Sequence, residues 1–197
     1  LAKEKKIKVL IPVDFVAVDR NLGDKVPGTD KNWIDSKKVP DGANLYTVAL
    51  KGGKFVEVNT GKEFETKDLF VYDIGPETIK AVTEAIKNVP ENSASLWNGA
   101  PGVNEMAEFA AGTKAMAEAF AEVSINEMNP DGKLFSDVAG GDTVDATKQA
   151  GVADKFSNPS TGGSASLGLA QGKTLKARQG LELIQSNVVT AHKVHLK

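Results

Sequence analysis

A chain of 197 residues, 41% of them hydrophobic, is long enough to close a core without staples, and its length sets a prior of one domain or one and a fraction. The lack of any cysteine excludes disulfides and thiolate metal sites, and 24 basic against 26 acidic side chains leave no bulk charge to draw nucleic acid or an anionic membrane. No apolar run reaches transmembrane length and no signal-peptide pattern opens the chain, so the expected setting is the cytoplasm or an organelle with a reducing interior.

Leu1 heads a lysine-rich, helix-like stretch from Ala2 to Lys6, as if the chain were cut from something longer. Ile7 to Val13 is a short β-branched run stopped by Pro12, which predicts a buried strand. Its C-terminal end would carry Asp14 toward a ligand crevice. From Asn21 to Lys67 the composition shifts to Gly, Pro, Asp, Asn and Lys. Alternating pieces such as Tyr46 to Leu50 and Phe55 to Val58 predict small hairpins turned at Gly52-Gly53.

After Gly75 the period changes. Ile79, Val82, Ile86 and Val89 fall on one face of an amphipathic helix opened by Pro76. Ala94 to Trp97 reads as a second buried strand, ending at Asn98-Gly99. Glu105 to Val123, rich in alanine, reads as mostly helical, with Met106, Phe109, Met116 and Phe120 as core packing. Ser136 to Val138 predicts a third strand, running into Gly140-Gly141-Asp142-Thr143 and a helix to Lys148. The recurrence of strand, glycine turn and helix is the signature of βαβ units and a parallel sheet. Beyond Lys173 the tail 174–197 is ambiguous between a helix plus strand and a docking segment. His192 and His195 have helix-face spacing for a metal, but no third ligand lies nearby and a solvated tail is the better reading.

Three segments stand out: Trp97-Asn98-Gly99-Ala100-Pro101-Gly102-Val103-Asn104-Glu105, then Gly140-Gly141-Asp142-Thr143, then Ser160-Thr161-Gly162-Gly163-Ser164-Ala165-Ser166. Each is a glycine-bearing turn leading into a helix-like segment. Such turns bring backbone N–H groups and helix N-termini up to a phosphate chain, so a mononucleotide is the natural ligand. Taken singly, each residue has a plainer reading. Asn98 can close its own turn, Glu105 can serve the helix dipole, and Asp142 can be an ordinary N-cap. No serine-elbow pattern supports a nucleophilic hydrolase.

The order and wording of these segments, with Pro12-Val13-Asp14-Phe15-Val16, Asp73-Ile74-Gly75-Pro76-Glu77-Thr78, Gly112-Thr113-Lys114-Ala115 and Ala153-Asp154-Lys155-Phe156, resemble the C-terminal, nucleotide-binding domain of phosphoglycerate kinase. The resemblance covers roughly Ile7 to Lys173, interrupted between Asp19 and Asp73. It implies a three-layer, Rossmann-like parallel sheet with helices on both faces and a β-hairpin-rich insertion at 21–67. The domain would be a partial nucleotide-binding unit over 1–173 followed by a divergent tail.

The resemblance further implies that Asn98 lies beside the nucleotide phosphates and Glu105 takes hydrogen bonds from the ribose hydroxyls. Asp142 would contact the Mg²⁺ of bound ADP or ATP, and Thr143 would approach a phosphate within the turn of Gly140 and Gly141. Gly162, Gly163 and Ser164 would face the phosphoryl group in transfer. The implied reaction is glycolytic phosphoryl transfer between 1,3-bisphosphoglycerate and Mg-ADP.

The departures weigh on the other side. The family's proline is Ala100, its phenylalanine before the ribose glutamate is Asn104, a glycine is Ala139, and the third glycine of the last loop is Ser164. Val71 replaces a glycine that lines the adenine pocket. The family's Gly-Gly-Ala-Lys turn and its basic, 3-phosphoglycerate-binding lobe have no counterpart in these residues. A missing N-terminal lobe, or another protein chain, is the expected partner. Residues 1–197 alone are expected to transfer no phosphate. The alternatives are a degenerate homologue kept as a structural or assembly subunit, and a nucleotide-binding module without transfer.

Overall fold

The computed structural model describes residues 4–20, 37–39, 41–163, 167–168 and 171–172. All of 21–36, Ser164 and the tail from 173 lie outside the described residues, and with them the readings of the tail and of its two histidines.

Two sheets organise the chain. The first is antiparallel, in the order β4-β3-β2-β1-β5, from β1 (Asp14–Asp19), β2 (Leu45–Lys51), β3 (Lys54–Glu57), β4 (Glu63–Glu65) and β5 (Leu69–Ile74). The β2–β3 hairpin turns at Gly52-Gly53, between the paired Lys51 and Lys54. Both glycines have positive φ, +57° and +83°, as a two-residue turn matched to strand twist requires. Alternation along β1 sends neighbours to opposite faces. Ala17 packs with Val48, Phe64 and Leu69 on one side, while Val18 packs with Met106 and Phe109 on the other.

The expected strand over Ile7 to Val13 is not formed; the strand begins where that run ends, at Asp14. The reason is pairing. Asp14 to Val18 have β2 beside them and Phe15 to Asp19 have β5, whereas Ile7 to Val13 have no strand neighbour among the described residues and stand exposed, Ile11 by 75%. Asp14 therefore does not end a strand facing a crevice. It is buried, and its carboxylate accepts the N–H groups of Glu77 and Thr78 at 2.9 and 2.8 Å and the Thr78 hydroxyl at 2.6 Å. It thereby caps α1 (Pro76–Lys87) from a distant part of the chain.

The second sheet is parallel, in the order β6-β7-β8, from β6 (Ser93–Asn98), β7 (Leu134–Ala139) and β8 (Asn158–Ser160). Helix α2 (Ala111–Val123) links the first pair and α3 (Gly141–Gln149) the second. The molecule is thus α/β with a three-stranded parallel sheet. Its core joins Ile86 of α1, Trp97, Phe120, Leu134, Val138 and Phe156, with Trp97 stacked on Phe120 at a centroid distance of 5.4 Å. Val82 and Val89 pack against the same cluster, as the apolar stripe of α1 demands. Helix α2 is shorter than its alanine-rich segment, because Glu105 lies in a turn and Ala107–Phe109 form a 3-10 turn that seats Phe109 in the core.

Candidate nucleotide site

Parallel pairing brings the three glycine turns together. Asn98 is in register with Ala139, and Ala139 with Ser160, so the turns that follow β6, β7 and β8 leave the same end of the sheet. That end, beyond the strand C-termini, is where open α/β sheets take ligands. Gly140 donates its N–H to the Ser160 carbonyl at 3.0 Å. A Cβ on Gly163 would lie 3.6 Å from the Gly140 Cα, so the third turn sits against the second.

The result is a cleft of about 330 Å³ lined by Asn98 to Ala100, Gly102 to Glu105 and Gly140 to Thr143. All six residues assigned to cofactor binding from the sequence line this one cavity: Asn98, Glu105, Gly140, Gly141, Asp142 and Thr143. Gly163 lies beside the cleft through its contact with Gly140, neither it nor Gly162 is among the lining residues, and Ser164 lies outside the described residues.

Each wall has a local cause. Gly140 has φ +100°, and a Cβ there would come within 3.1 Å of Asn98 Oδ1. Glycine therefore lets the β7–α3 turn approach the end of β6. No side chain caps α3, which leaves its first-turn N–H groups directed at the cleft with the positive end of the helix dipole behind them. Asp142 is exposed in that first turn. Thr143 is 2% exposed, and its Oγ1 accepts the Gly99 N–H at 2.9 Å, which ties the first turn to the second. Trp97 Nε1 donates to the Gly99 carbonyl at 2.9 Å. Glu105 is exposed, and it occupies a turn rather than the first turn of a helix as its sequence suggested.

The 99–105 loop is held by bonds that sequence reasoning missed. Val103 donates its N–H to the Tyr72 carbonyl at 3.0 Å, Gly102 to Thr113 Oγ1 at 3.2 Å, and Asn104 Nδ2 to Gln149 Oε1 at 2.9 Å. Beneath it lies Asp73, 1% exposed, whose oxygens accept the N–H groups of Gly112 and Ile74, both at 2.8 Å. Burial pushes the Asp73 carboxyl above its ordinary range, and the two N–H donors pull partly against it. A Cβ on Gly102 or Gly112 would overlap this carboxylate, and one on Gly75 would overlap that of Asp14. No spacing rule signals such contacts, since the glycines and the carboxylates they pack on lie far apart in sequence.

A neighbouring cleft of about 480 Å³ shares Ala100, Gly102 and Val103 with the first and is walled by Phe15, Val71 and Asp73. Val71 is 38% exposed there. Among the described residues no group of three or more His, Cys, Asp or Glu could hold a metal ion. A lone, exposed Asp142 suits a hard divalent cation that arrives already bound to phosphate oxygens and keeps most of its water.

A family model, described as phosphoglycerate kinase, matches residues 1–173. The phosphoglycerate kinase of Desulfosudis oleivorans is 36% identical over 181 residues, which are 92% of this chain and 35% of that protein. That of Chloroflexus aggregans is 43% identical over 92% of this chain and 36% of its own length, and the cytosolic enzyme of Triticum aestivum is 34% identical over 88% and 34%. Among solved structures, phosphoglycerate kinase from Coxiella burnetii superposes with a TM-score of 0.58 at 23% identity, covering 87% of this chain and 34% of that one. The Pyrococcus horikoshii OT3 enzyme gives 0.56 at 24%, over 92% and 34%. The chain thus spans about a third of the length of the relatives it matches. The match runs through all three converging turns and at identities well above those of fold likeness alone, and by it the chain belongs to the phosphoglycerate kinase family.

Proposed function

We propose that the chain is the nucleotide-holding part of a phosphoglycerate kinase-like phosphotransferase, and that the 330 Å³ cleft takes Mg-ADP or Mg-ATP. The observation that carries this reading is the convergence of Asn98, Glu105 and Gly140 to Thr143, from separate turns, on one cavity at the C-terminal end of a parallel sheet. The N–H groups that open α3 and the Asn98 amide hold phosphate oxygens. Thr143 already accepts a bond from Gly99, so its own hydroxyl proton is left to donate to a phosphate. Glu105 accepts from the ribose hydroxyls. Asp142 meets the magnesium, whose charge offsets that building on the phosphates during transfer. Gly162, Gly163 and Ser164 face the phosphoryl group that moves.

In a complete protein the reaction is reversible phosphoryl transfer between 1,3-bisphosphoglycerate and Mg-ADP, with the acidic substrate and the cationic clamps supplied by a further lobe or another chain. The protein's contribution is position and charge neutralisation. The finer architecture belongs with this reading: a three-layer sandwich with helices on both faces of the parallel sheet, and 21–67 as a hairpin-rich insertion.

Val71 favours a second reading. Its side chain stands in the cleft next to the phosphate turns, where the base of a nucleotide would lie, and a filled base site suits a degenerate member kept as an assembly subunit. Calorimetry with ADP, with and without Mg²⁺, separates the two. Asp142→Asn is expected to weaken Mg-ADP more than ADP alone. Glu105→Gln is expected to weaken both by an amount on the order of 1.5–3 kcal/mol, and not to weaken 2′,3′-dideoxy-ADP. No heat at millimolar nucleotide overturns the nucleotide reading in favour of the assembly subunit.

A further inference from the structure

Beside the cleft lies a further cavity of about 300 Å³, between the Glu105 turn, the start of α2 and the end of α3. The two cavities share Asn104 and Glu105. Ala107, Ala110, Ala146 and Ala150 line the second, and their short side chains leave its space open. Gln149 also lines it and accepts the Asn104 amide, so the boundary with the first cavity is polar while the alanine wall is apolar. Lys114 reaches it too, but its ammonium is ion-paired with Glu118 at 3.9 Å on the exposed side of α2.

We propose that this cavity is a subsite for an uncharged, flat substituent carried on a ribose hydroxyl of the bound nucleotide. The inference rests on the nucleotide reading above. With Glu105 accepting from the ribose diol in the first cavity, a group on either diol oxygen stands at one of the two residues common to both cavities and has the second to enter. The remaining free hydroxyl keeps one bond to Glu105. The carboxylate at the junction selects against an anionic substituent, because like charges placed side by side repel. The alanine wall favours an apolar one. Space is not limiting, since a dry pocket of about 150 Å³ accepts a benzene ring.

The test is titration of the 197-residue chain, in Mg²⁺, with ADP and with 2′(3′)-O-(N-methylanthraniloyl)-ADP. The labelled nucleotide is expected to bind within about threefold of ADP, with enhanced emission as its ring leaves water. Ala107→Leu and Ala150→Leu fill the cavity from two different elements, so a folding failure in one leaves the other. Each is expected to weaken the labelled nucleotide by about tenfold or more while ADP stays within about twofold. The proposal is overturned if the unsubstituted chain binds ADP but excludes the labelled form, or if both filled variants bind the label as before. If the chain binds neither nucleotide, the nucleotide reading itself has failed, and the subsite falls with it.

Discussion

Two buried carboxylates, Asp14 and Asp73, explain why three glycines cannot be anything else. Gly75 packs on Asp14, and Gly102 and Gly112 on Asp73, each at a separation that leaves no room for a methyl group. Gly112→Ala is expected to destabilise the protein by about 1–3 kcal/mol through overpacking. Gly141→Ala, where a Cβ meets nothing within 4 Å, is expected to change stability by less than about 0.5 kcal/mol. Urea midpoints of the two variants check this pair. Asp73 also gives a pH signature. Its folded carboxyl holds a proton more tightly than in the unfolded chain, so its contribution to stability is greatest below the ordinary carboxylate range and weakens as pH rises through the window between the two values. Asp73→Asn removes that component. Its stability relative to the parent is therefore expected to climb as pH is raised from about 4, and a difference independent of pH would place the charge elsewhere.

At the scale of elements, the cleft is a consequence of parallel register. Strand β7 lies between β6 and β8, and its end at Ala139 aligns both neighbours' ends, so three turns distant in sequence meet without any contact having been specified locally. The Thr143 to Gly99 bond is the tie between two of them. Thr143→Val keeps the shape and removes the acceptor, leaving the N–H of the exposed Gly99 to water at a cost of about 0.5–1.5 kcal/mol. Thr143→Ser is expected to restore most of it. Amide exchange at Gly99 is the direct measurement, faster in the valine variant and near the parent rate in the serine one. Equal exchange in all three would mean the tie does not hold the turn.

For the whole molecule, the decisive quantity is coverage: the chain spans about a third of its relatives' length. The run Ile7 to Val13 is exposed and apolar, with no strand beside it among the described residues. Residues 1–197 are expected to bind nucleotide without transferring phosphate, because each cationic clamp on a moving phosphoryl group is worth several kcal/mol and this cleft presents carboxylates, amides and a helix N-terminus but, among the described residues, no lysine or arginine in its lining. A coupled assay that gave turnover from these residues alone would reverse this expectation.

Much of the α/β half was legible in the sequence, because periodicity and turn chemistry are local. The stripe of Ile79, Val82, Ile86 and Val89 specified α1, the alternation around Gly52-Gly53 specified a hairpin, and the glycine turns marked the six residues that now line one cleft. What the sequence could not specify was pairing. Whether Ile7 to Val13 or Asp14 to Asp19 becomes the strand depends on which residues have neighbours to complete their hydrogen bonds, and the polar Asn158–Ser160 becomes a strand only because β7 lies beside it. The sequence likewise holds the letters of Asp14, Asp73, Thr113 and Gln149, but their roles as cap, buried support and loop anchors exist only once segments tens of residues apart, or 11 for Thr113, are folded against each other.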